Sequence, residues 1–216
     1  MTSLHAERLG RGEPVILVHG SVIDGAATWS AQRPLAERWA LVIVDRRGFG
    51  QSPDTDGEDF ERDAEDIADL LGEGAHLVGH SYGGVGCLLA AARRPEAVRS
   101  LTLVEPVAYG VCRDDPVVQR AVREIDAWFD TGPEDPREFL VGFLGLMGAA
   151  ARLPSPLPPA LERGARLLRH IRYPWTAEIP LDALEHAPFR SLVVSGGHSE
   201  VFDAICDVLA ERLGAE

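Results

Sequence analysis

The sequence contains no lysine and no asparagine, and all 21 of its basic residues are arginine. Without lysine, the chain cannot form a lysine-bearing P-loop, a pyridoxal Schiff base or a serine–lysine nucleophile pair. Without asparagine, it has no acceptor for N-glycosylation. These two absences exclude several classes of enzyme and modification before any motif is considered.

Cysteine is scarce, and long apolar runs are missing. The three cysteines (Cys87, Cys112 and Cys206) are odd in number and far apart, which suits reduced thiols better than disulfides or a zinc site. No apolar run approaches the roughly 20 residues needed to cross a bilayer. Residues 1–8 have neither the basic start nor the apolar stretch of a signal peptide, so we expect a cytoplasmic protein.

The chain has fewer basic than acidic residues. Its 34 acidic and 21 basic residues give a net charge of −13. This balance repels phosphate backbones and anionic lipids, so we expect neither nucleic acid nor a membrane as a partner. The acidic run at residues 54–63 is expected to be a solvated loop that enters a helix. The length of 216 residues, 45% of them hydrophobic, is typical of one sizeable soluble domain.

Short runs of aliphatic residues recur along the chain without polar alternation, which is typical of strands covered on both faces. They occupy residues 14–19, 41–44, 76–79, 101–104 and 191–195. Helix-length segments such as 60–71 and 83–94 lie between them, and one further strand is expected near residues 4–9. This alternation predicts an α/β fold with a mainly parallel sheet and helices on both faces.

The stretch from 107 to 187 has a different pattern. Three helical segments (116–130, 136–151 and 158–172) are separated by proline-rich joints, with no run typical of a strand. A crossover between parallel strands needs only a dozen or so residues, so about 80 helical residues indicate an insertion. We therefore predict a helical cap at 107–187, inserted into a core formed by 1–106 and 188–216.

One motif carries chemistry. The sequence Gly79-His80-Ser81-Tyr82-Gly83 is a Gly-x-Ser-x-Gly between a predicted strand and a predicted helix. A nucleophilic serine at the tip of such a turn has strained backbone geometry, and small neighbours let the strand and helix pack against it. The helix directs its N-terminal N–H groups towards the point where an oxyanion forms. The motif therefore predicts a nucleophile at Ser81.

With these residues the chain resembles the α/β-hydrolase superfamily, in its cap-bearing esterase, haloperoxidase-like and lactonase branch. The matching segments run in family order: 18–21, Trp29, 44–52, 79–84 and 103–106. The resemblance implies Ser81 as nucleophile, an oxyanion hole made by the backbone N–H groups of Ser21 and Tyr82, and no metal or organic cofactor. His19 and His80 usually shape loops in this family. The implied partner is a small-molecule substrate.

The triad acid departs from the family pattern. It normally follows the strand at 191–195 in a Gly-x-x-Asp turn, but here the turn ends in Ser199. Some relatives place the acid one strand earlier, where Glu105 stands at the carboxyl end of a strand. Glu105 is the candidate acid, although Glu105-Pro106 is also a common strand end, and Glu200 and Asp203 are weaker alternatives.

The catalytic base departs further from the family pattern. In the family this histidine follows one more strand, beyond the helix at 201–213. The sequence ends at Glu216, before such a strand, so we expect either that the chain is a fragment or that its site is incomplete. In both cases we expect the chain to be a poor hydrolase. His198 lies beside the expected acid position, and His170 and His186 lie in the cap. A base must come within hydrogen-bond reach of the serine, so His198 is the strongest of the three.

The expected function is hydrolysis of a small apolar carboxylic ester or lactone through an acyl-enzyme at Ser81. The alternatives are a non-catalytic small-molecule-binding protein on the same fold and a cofactor-free haloperoxidase-like enzyme. Apolar cap residues supply enough surface to line a pocket, although most are expected to form the core of the cap. They are Trp128, Phe129, Phe139, Phe143, Leu144, Met147, Tyr173 and Trp175.

Overall fold

A computed structural model describes residues 4–149 and 152–215 and centres on a six-stranded sheet. Its strands are β1 (Ala6–Leu9), β2 (Pro14–Val18), β3 (Ala40–Val44), β4 (Ala75–His80), β5 (Val98–Val104) and β6 (Arg190–Val194). Their order is β1-β3-β2-β4-β5-β6, and only β1 runs antiparallel to its neighbour. The predicted α/β fold with a mainly parallel sheet is confirmed.

Eight α-helices accompany this sheet in the described residues. They are α1 (Gly25–Thr28), α2 (Phe60–Leu70), α3 (Tyr82–Arg93), α4 (Pro116–Thr131), α5 (Pro136–Leu146), α6 (Pro159–Arg169), α7 (Leu181–Glu185) and α8 (Glu200–Leu213). Short 3-10 helices occupy Ser30–Glu37, Pro95–Ala97, Tyr109–Cys112 and Pro174–Thr176. Of the helices described, none combines the length and apolar character needed to span a membrane.

In the described residues between β5 and β6, the secondary structure is limited to helices α4–α7 and two 3-10 helices, which irregular segments join. Helix α5 ends at Leu146 rather than at 151, and Gly148 soon afterwards adopts a φ of +77°, a left-handed conformation common where helices stop. Residues 150 and 151, the last two of the predicted helix, lie outside the described part. Helix α7 is short and was not predicted, because five residues give little periodicity.

Strand β6 corrects one expectation. Its sequence predicts a strand covered on both faces, yet Leu192 and Val194 are 40% and 37% exposed. Only β5 pairs with it, so β6 is an edge strand in the described structure. Helix α8 packs against it. An uninterrupted aliphatic run therefore indicated the strand correctly but not its burial, because burial depends on what packs on each face.

Helix α3 begins so close to the end of β2 that a side chain larger than hydrogen would clash at Gly83. Residues 82–91 of α3 are all buried. A Cβ added at Gly83 would lie 2.2 Å from the carbonyl oxygen of His19 and 2.9 Å from Val18 Cγ1. The glycines of the motif thus set how near the start of α3 comes to the end of β2.

We expect Gly83→Ala to destabilise the protein by about 1–3 kcal/mol, because the added methyl group must displace backbone at the end of β2. The matched control is Gly145→Ala on α5, where an added Cβ meets nothing within 4 Å. That control should be neutral or stabilise by up to about 1 kcal/mol. Chemical denaturation measures both, and equal effects would contradict the proposed tight packing.

Candidate active site

Ser81 occupies the sharp turn between β4 and α3, with φ of 52° and ψ of −123°. This region of backbone space is costly for any residue other than glycine, and such strain is typical of functional sites. The turn is held by hydrogen bonds from Ser81 N–H to the carbonyl of Val104 (3.0 Å) and from Gly84 N–H to the carbonyl of Ser81 (2.9 Å). The surrounding structure therefore fixes the strained serine at the tip of the turn.

The two residues of the implied oxyanion hole belong to segments close to this serine. Tyr82 is the first residue of α3, so its N–H has no acceptor within the helix and lies at the positive end of the helix dipole. Gly20 approaches so closely that an added Cβ would lie 2.8 Å from Ser81 Cβ. Ser21, which follows Gly20, lines the same cavity as Ser81 and Tyr82.

A buried arginine holds the loop that contains Gly20 and Ser21. Arg46 Nε donates to the carbonyl of His19 (3.0 Å) and Nη2 to the carbonyl of Gly20 (2.9 Å). The guanidinium also forms ion pairs with Glu58 and Asp63. Burial alone would lower the pKa of Arg46, but the two carboxylates outweigh it and raise it.

Glu58 extends this network to Ser21, in the loop of the implied oxyanion hole. Ser21 Oγ donates to Glu58 Oε2 at 2.9 Å. Sequence reasoning missed this role, since Glu58 and Asp63 belong to the acidic run expected to be solvated, and both are buried. The only signal in the sequence was an arginine after a strand with acidic residues nearby, and it does not reveal which carboxylates are buried.

His19 and His80 differ in their hydrogen bonding. His19 Nδ1 donates to the carbonyl of Gly20 (2.7 Å), and Nε2 accepts from Arg46 N–H (3.0 Å), so both ring nitrogens are occupied. Burial, followed by the charge of Arg46, holds the pKa of His19 well below its usual value. His80 lines the cavity, and its buried Nδ1 has no hydrogen-bond partner within the described residues. Burial also lowers the pKa of His80, although Glu105 opposes it.

Glu105 and His198 come together at the carboxyl ends of β5 and β6. The Nδ1 atom of His198 lies 3.1 Å from Glu105 Oε1, which also accepts from Gly196 N–H at 2.8 Å. The N–H of Glu105 donates to the carbonyl of Val194 (2.9 Å), and its φ is 45°. Both side chains line the cavity that Ser81 lines.

The other candidate acids and bases do not line this cavity. Glu200 is exposed in the first turn of α8, and Asp203 accepts a hydrogen bond from Ser195 Oγ. His170 and His186 are exposed. Within residues 4–149 and 152–215, Ser81 Oγ has no hydrogen-bond partner, so the described structure joins no base to it directly.

The cavity above Ser81 has a volume of about 700 Å³. Five of the predicted cap residues line it: Phe129, Phe143, Leu144, Met147 and Trp175. Trp128, Phe139 and Tyr173 do not line it, whereas Trp29, one of the residues that carry the family resemblance, is buried and lines it. In the part of the chain described, no group of three or more His, Cys, Asp or Glu residues is arranged to hold a metal ion.

A mainly parallel sheet with a strained serine between a central strand and its helix is the architecture of α/β hydrolases. A family profile described as alpha/beta hydrolase fold matches residues 13–153. An α/β hydrolase from Sphaerobacter thermophilus superposes with a TM-score of 0.73 at 28% identity, over 100% of this chain and 89% of that one. The chain belongs to the α/β hydrolase fold family.

Curated relatives include named hydrolases. The serine hydrolase BPHL of Mus musculus is 34% identical over 151 residues, which cover 65% of this chain and 51% of that protein. A pimeloyl-[acyl-carrier protein] methyl ester esterase of Methylococcus capsulatus is 32% identical over 188 residues, which cover 77% of this chain and 71% of that protein. The chain spans about half the length of several curated relatives it matches.

We expect Ser81→Gly to be more stable than Ser81→Ala by about 1 kcal/mol or more. Both variants lose the hydroxyl, but only glycine adopts the backbone conformation of residue 81 without strain. The free energies of unfolding of the two variants, measured in denaturant, provide the comparison. Equal stabilities, or a more stable alanine variant, would show that the turn is not strained.

We also expect His19 to make a contribution that lowers stability as the pH falls below about 6.5, because its buried, neutral ring does not take up the proton that the unfolded state binds. One such proton gives a limiting slope of about 1.4 kcal/mol per pH unit. His19→Gln should be less sensitive between pH 7.5 and 5.5. Parallel pH profiles for the parent and the variant would contradict a neutral His19.

Proposed function

We propose that the protein hydrolyses neutral carboxylic esters or lactones with apolar groups, through an acyl-enzyme at Ser81. The observation that carries this proposal is the strained serine at the floor of an apolar cavity that Glu105 and His198 also line. The relatives' printed names include an esterase and a serine hydrolase, which agrees with ester cleavage.

We assign a group of the chain to each step of the proposed reaction. Ser81 Oγ attacks the ester carbonyl, and the N–H groups of Ser21 and Tyr82 stabilise the oxyanion. Among the described histidines, His198 is the one paired with the candidate acid, so we assign it as the base. Glu105 orients its ring and stabilises the imidazolium, while the opposite ring nitrogen takes the serine proton and passes it to the leaving alcohol. Water then attacks the acyl-enzyme in the same way.

This assignment requires that the ring of His198 comes within hydrogen-bond reach of Ser81 Oγ when substrate is bound. Catalytic hydrogen bonds are often long in free enzymes and shorten in the complex. The side chain of His198 is 42% exposed. Its ring also lies near Gly148, just after the cap helix α5, because a Cβ added at Gly148 would lie 3.1 Å from His198 Cδ2. The proposal therefore includes a movement of the turn that carries His198, together with the cap.

A non-catalytic binding protein on the same fold is the second candidate. The observation that favours it is the lack of a hydrogen-bonded base on Ser81 in the described structure. The same apolar cavity then binds a ligand without cleaving it. A cytoplasmic location and a small-molecule partner, without nucleic acid or membrane, remain predictions from the sequence.

Covalent labelling tests the proposal. A fluorophosphonate should add once to the parent chain, as read by intact mass, and the adduct should be absent from Ser81→Gly. Glu105→Gln and His198→Ala should slow labelling by at least about tenfold, because an unactivated serine is a weak nucleophile. His170→Ala is the matched control, as His170 is exposed and lies outside the cavity.

The outcomes separate the alternatives. No adduct on the folded parent would overturn the hydrolase and leave the binding protein. An adduct that forms at the parental rate in His198→Ala would keep Ser81 as nucleophile but remove His198 as base. Reduced labelling in His170→Ala would point instead to a base contributed by the cap.

A further inference from the structure

Tyr109 places a hydroxyl in the wall of the cavity that the proposed reaction does not use. It begins the 3-10 helix Tyr109–Cys112, four residues after Glu105, and it is 3% exposed. Its ring packs edge-on against Trp175, with the ring centroids 6.3 Å apart. Tyr109 and Trp175 both belong to the segment between β5 and β6, and Tyr109 is also part of the buried cluster that includes Leu103 of β5.

The hydroxyl has only a weak partner. In the described residues its hydrogen bond goes to the thioether sulphur of Met147, 3.9 Å away, and both residues line the cavity. A thioether is a poor acceptor, and a buried phenol normally has a better one. Burial raises the pKa of Tyr109, so the group remains a protonated donor. It can therefore give its hydrogen bond to a ligand at little cost.

The surroundings restrict what that ligand atom can be. Apolar side chains such as Ile125, Phe129 and Trp175 share the wall with Tyr109. Among the described residues that line the cavity none is an arginine, the chain has no lysine, and Glu105 contributes a carboxylate. Two histidines also line it, but burial lowers the pKa of His80, and His198 already pairs with Glu105. An anionic group would therefore be buried there without a free cationic partner, which is strongly unfavourable. The acceptor must be neutral.

We propose that Tyr109 is a specificity-determining residue that donates a hydrogen bond to a neutral oxygen, such as a ketone, on the acyl chain of the substrate. The inference rests on the proposed function, because it takes Ser81 as the site of acylation. The acyl chain stays attached to Ser81 through both steps, so a contact with it acts on each of them. The preferred substrate is then an apolar ester with one internal neutral acceptor.

The test compares methyl octanoate with its 4-, 5-, 6- and 7-oxo analogues, which differ only in the presence and position of a ketone. Binding is measured in Ser81→Gly through the fluorescence of Trp29 and Trp175, which line the cavity, so that no turnover is needed. Turnover of the same esters by the parent is followed separately by acid release.

We expect one oxo isomer to bind about 3- to 10-fold more tightly than methyl octanoate, the effect of one added neutral hydrogen bond. Combining Tyr109→Phe with Ser81→Gly removes only the phenol hydroxyl. The double variant should lose that preference, and its affinity for methyl octanoate should stay within about twofold of that of Ser81→Gly. Tyr173→Phe is the matched control, since Tyr173 stacks on Trp175 but does not line the cavity.

The inference is wrong if no oxo isomer binds better than methyl octanoate, or if the preference survives Tyr109→Phe. A binding preference lost in Tyr109→Phe, without turnover of any ester by the parent, would overturn the proposed hydrolysis and keep Tyr109 as a ligand-binding group. Turnover of the esters by the parent, without a binding preference for any oxo isomer, would keep the proposed hydrolysis and overturn the role of Tyr109.

Discussion

The buried guanidinium of Arg46 joins the segments on which the rest of the site depends. It donates to the carbonyls of His19 and Gly20, pairs with Glu58 and Asp63, and lies 5.1 Å from the ring centroid of Tyr82. An arginine suits this position because its planar group offers five donors and remains charged when buried. One side chain thus links the end of β2, the segment leading into α2 and the start of α3.

The network also shows how the protein accommodates buried charge close to an apolar cavity. Arg46, Glu58 and Asp63 are all buried, and such groups are tolerated only when their charges are paired and hydrogen-bonded. Burial raises the pKa of Asp63 to about 6, with Arg46 opposing. Because Ser21 donates to Glu58, the same charges that stabilise the fold also fix the position of the proposed oxyanion loop.

Much of the fold followed from local pattern. Aliphatic runs located the strands, and Gly79-His80-Ser81-Tyr82-Gly83 located the turn, because strand burial and helix packing impose those residue types locally. Helix α5 was predicted too long, since periodicity does not mark the stop near Gly148. The burial of β6 was overestimated for a related reason, as a run of aliphatic residues does not say whether a strand lies at an edge.

The sequence by itself determined the class of fold, the series of helices between β5 and β6 and the serine at the strand–helix turn, because each depends on residues close together in the chain. Only the tertiary structure decided which distant groups meet: Glu105 with His198, Ser21 with Glu58, and Tyr109 with Met147. These contacts join residues up to 93 positions apart (198 − 105 = 93). No local pattern encodes such pairs, since they depend on how the strand ends and the helices between β5 and β6 pack around one cavity.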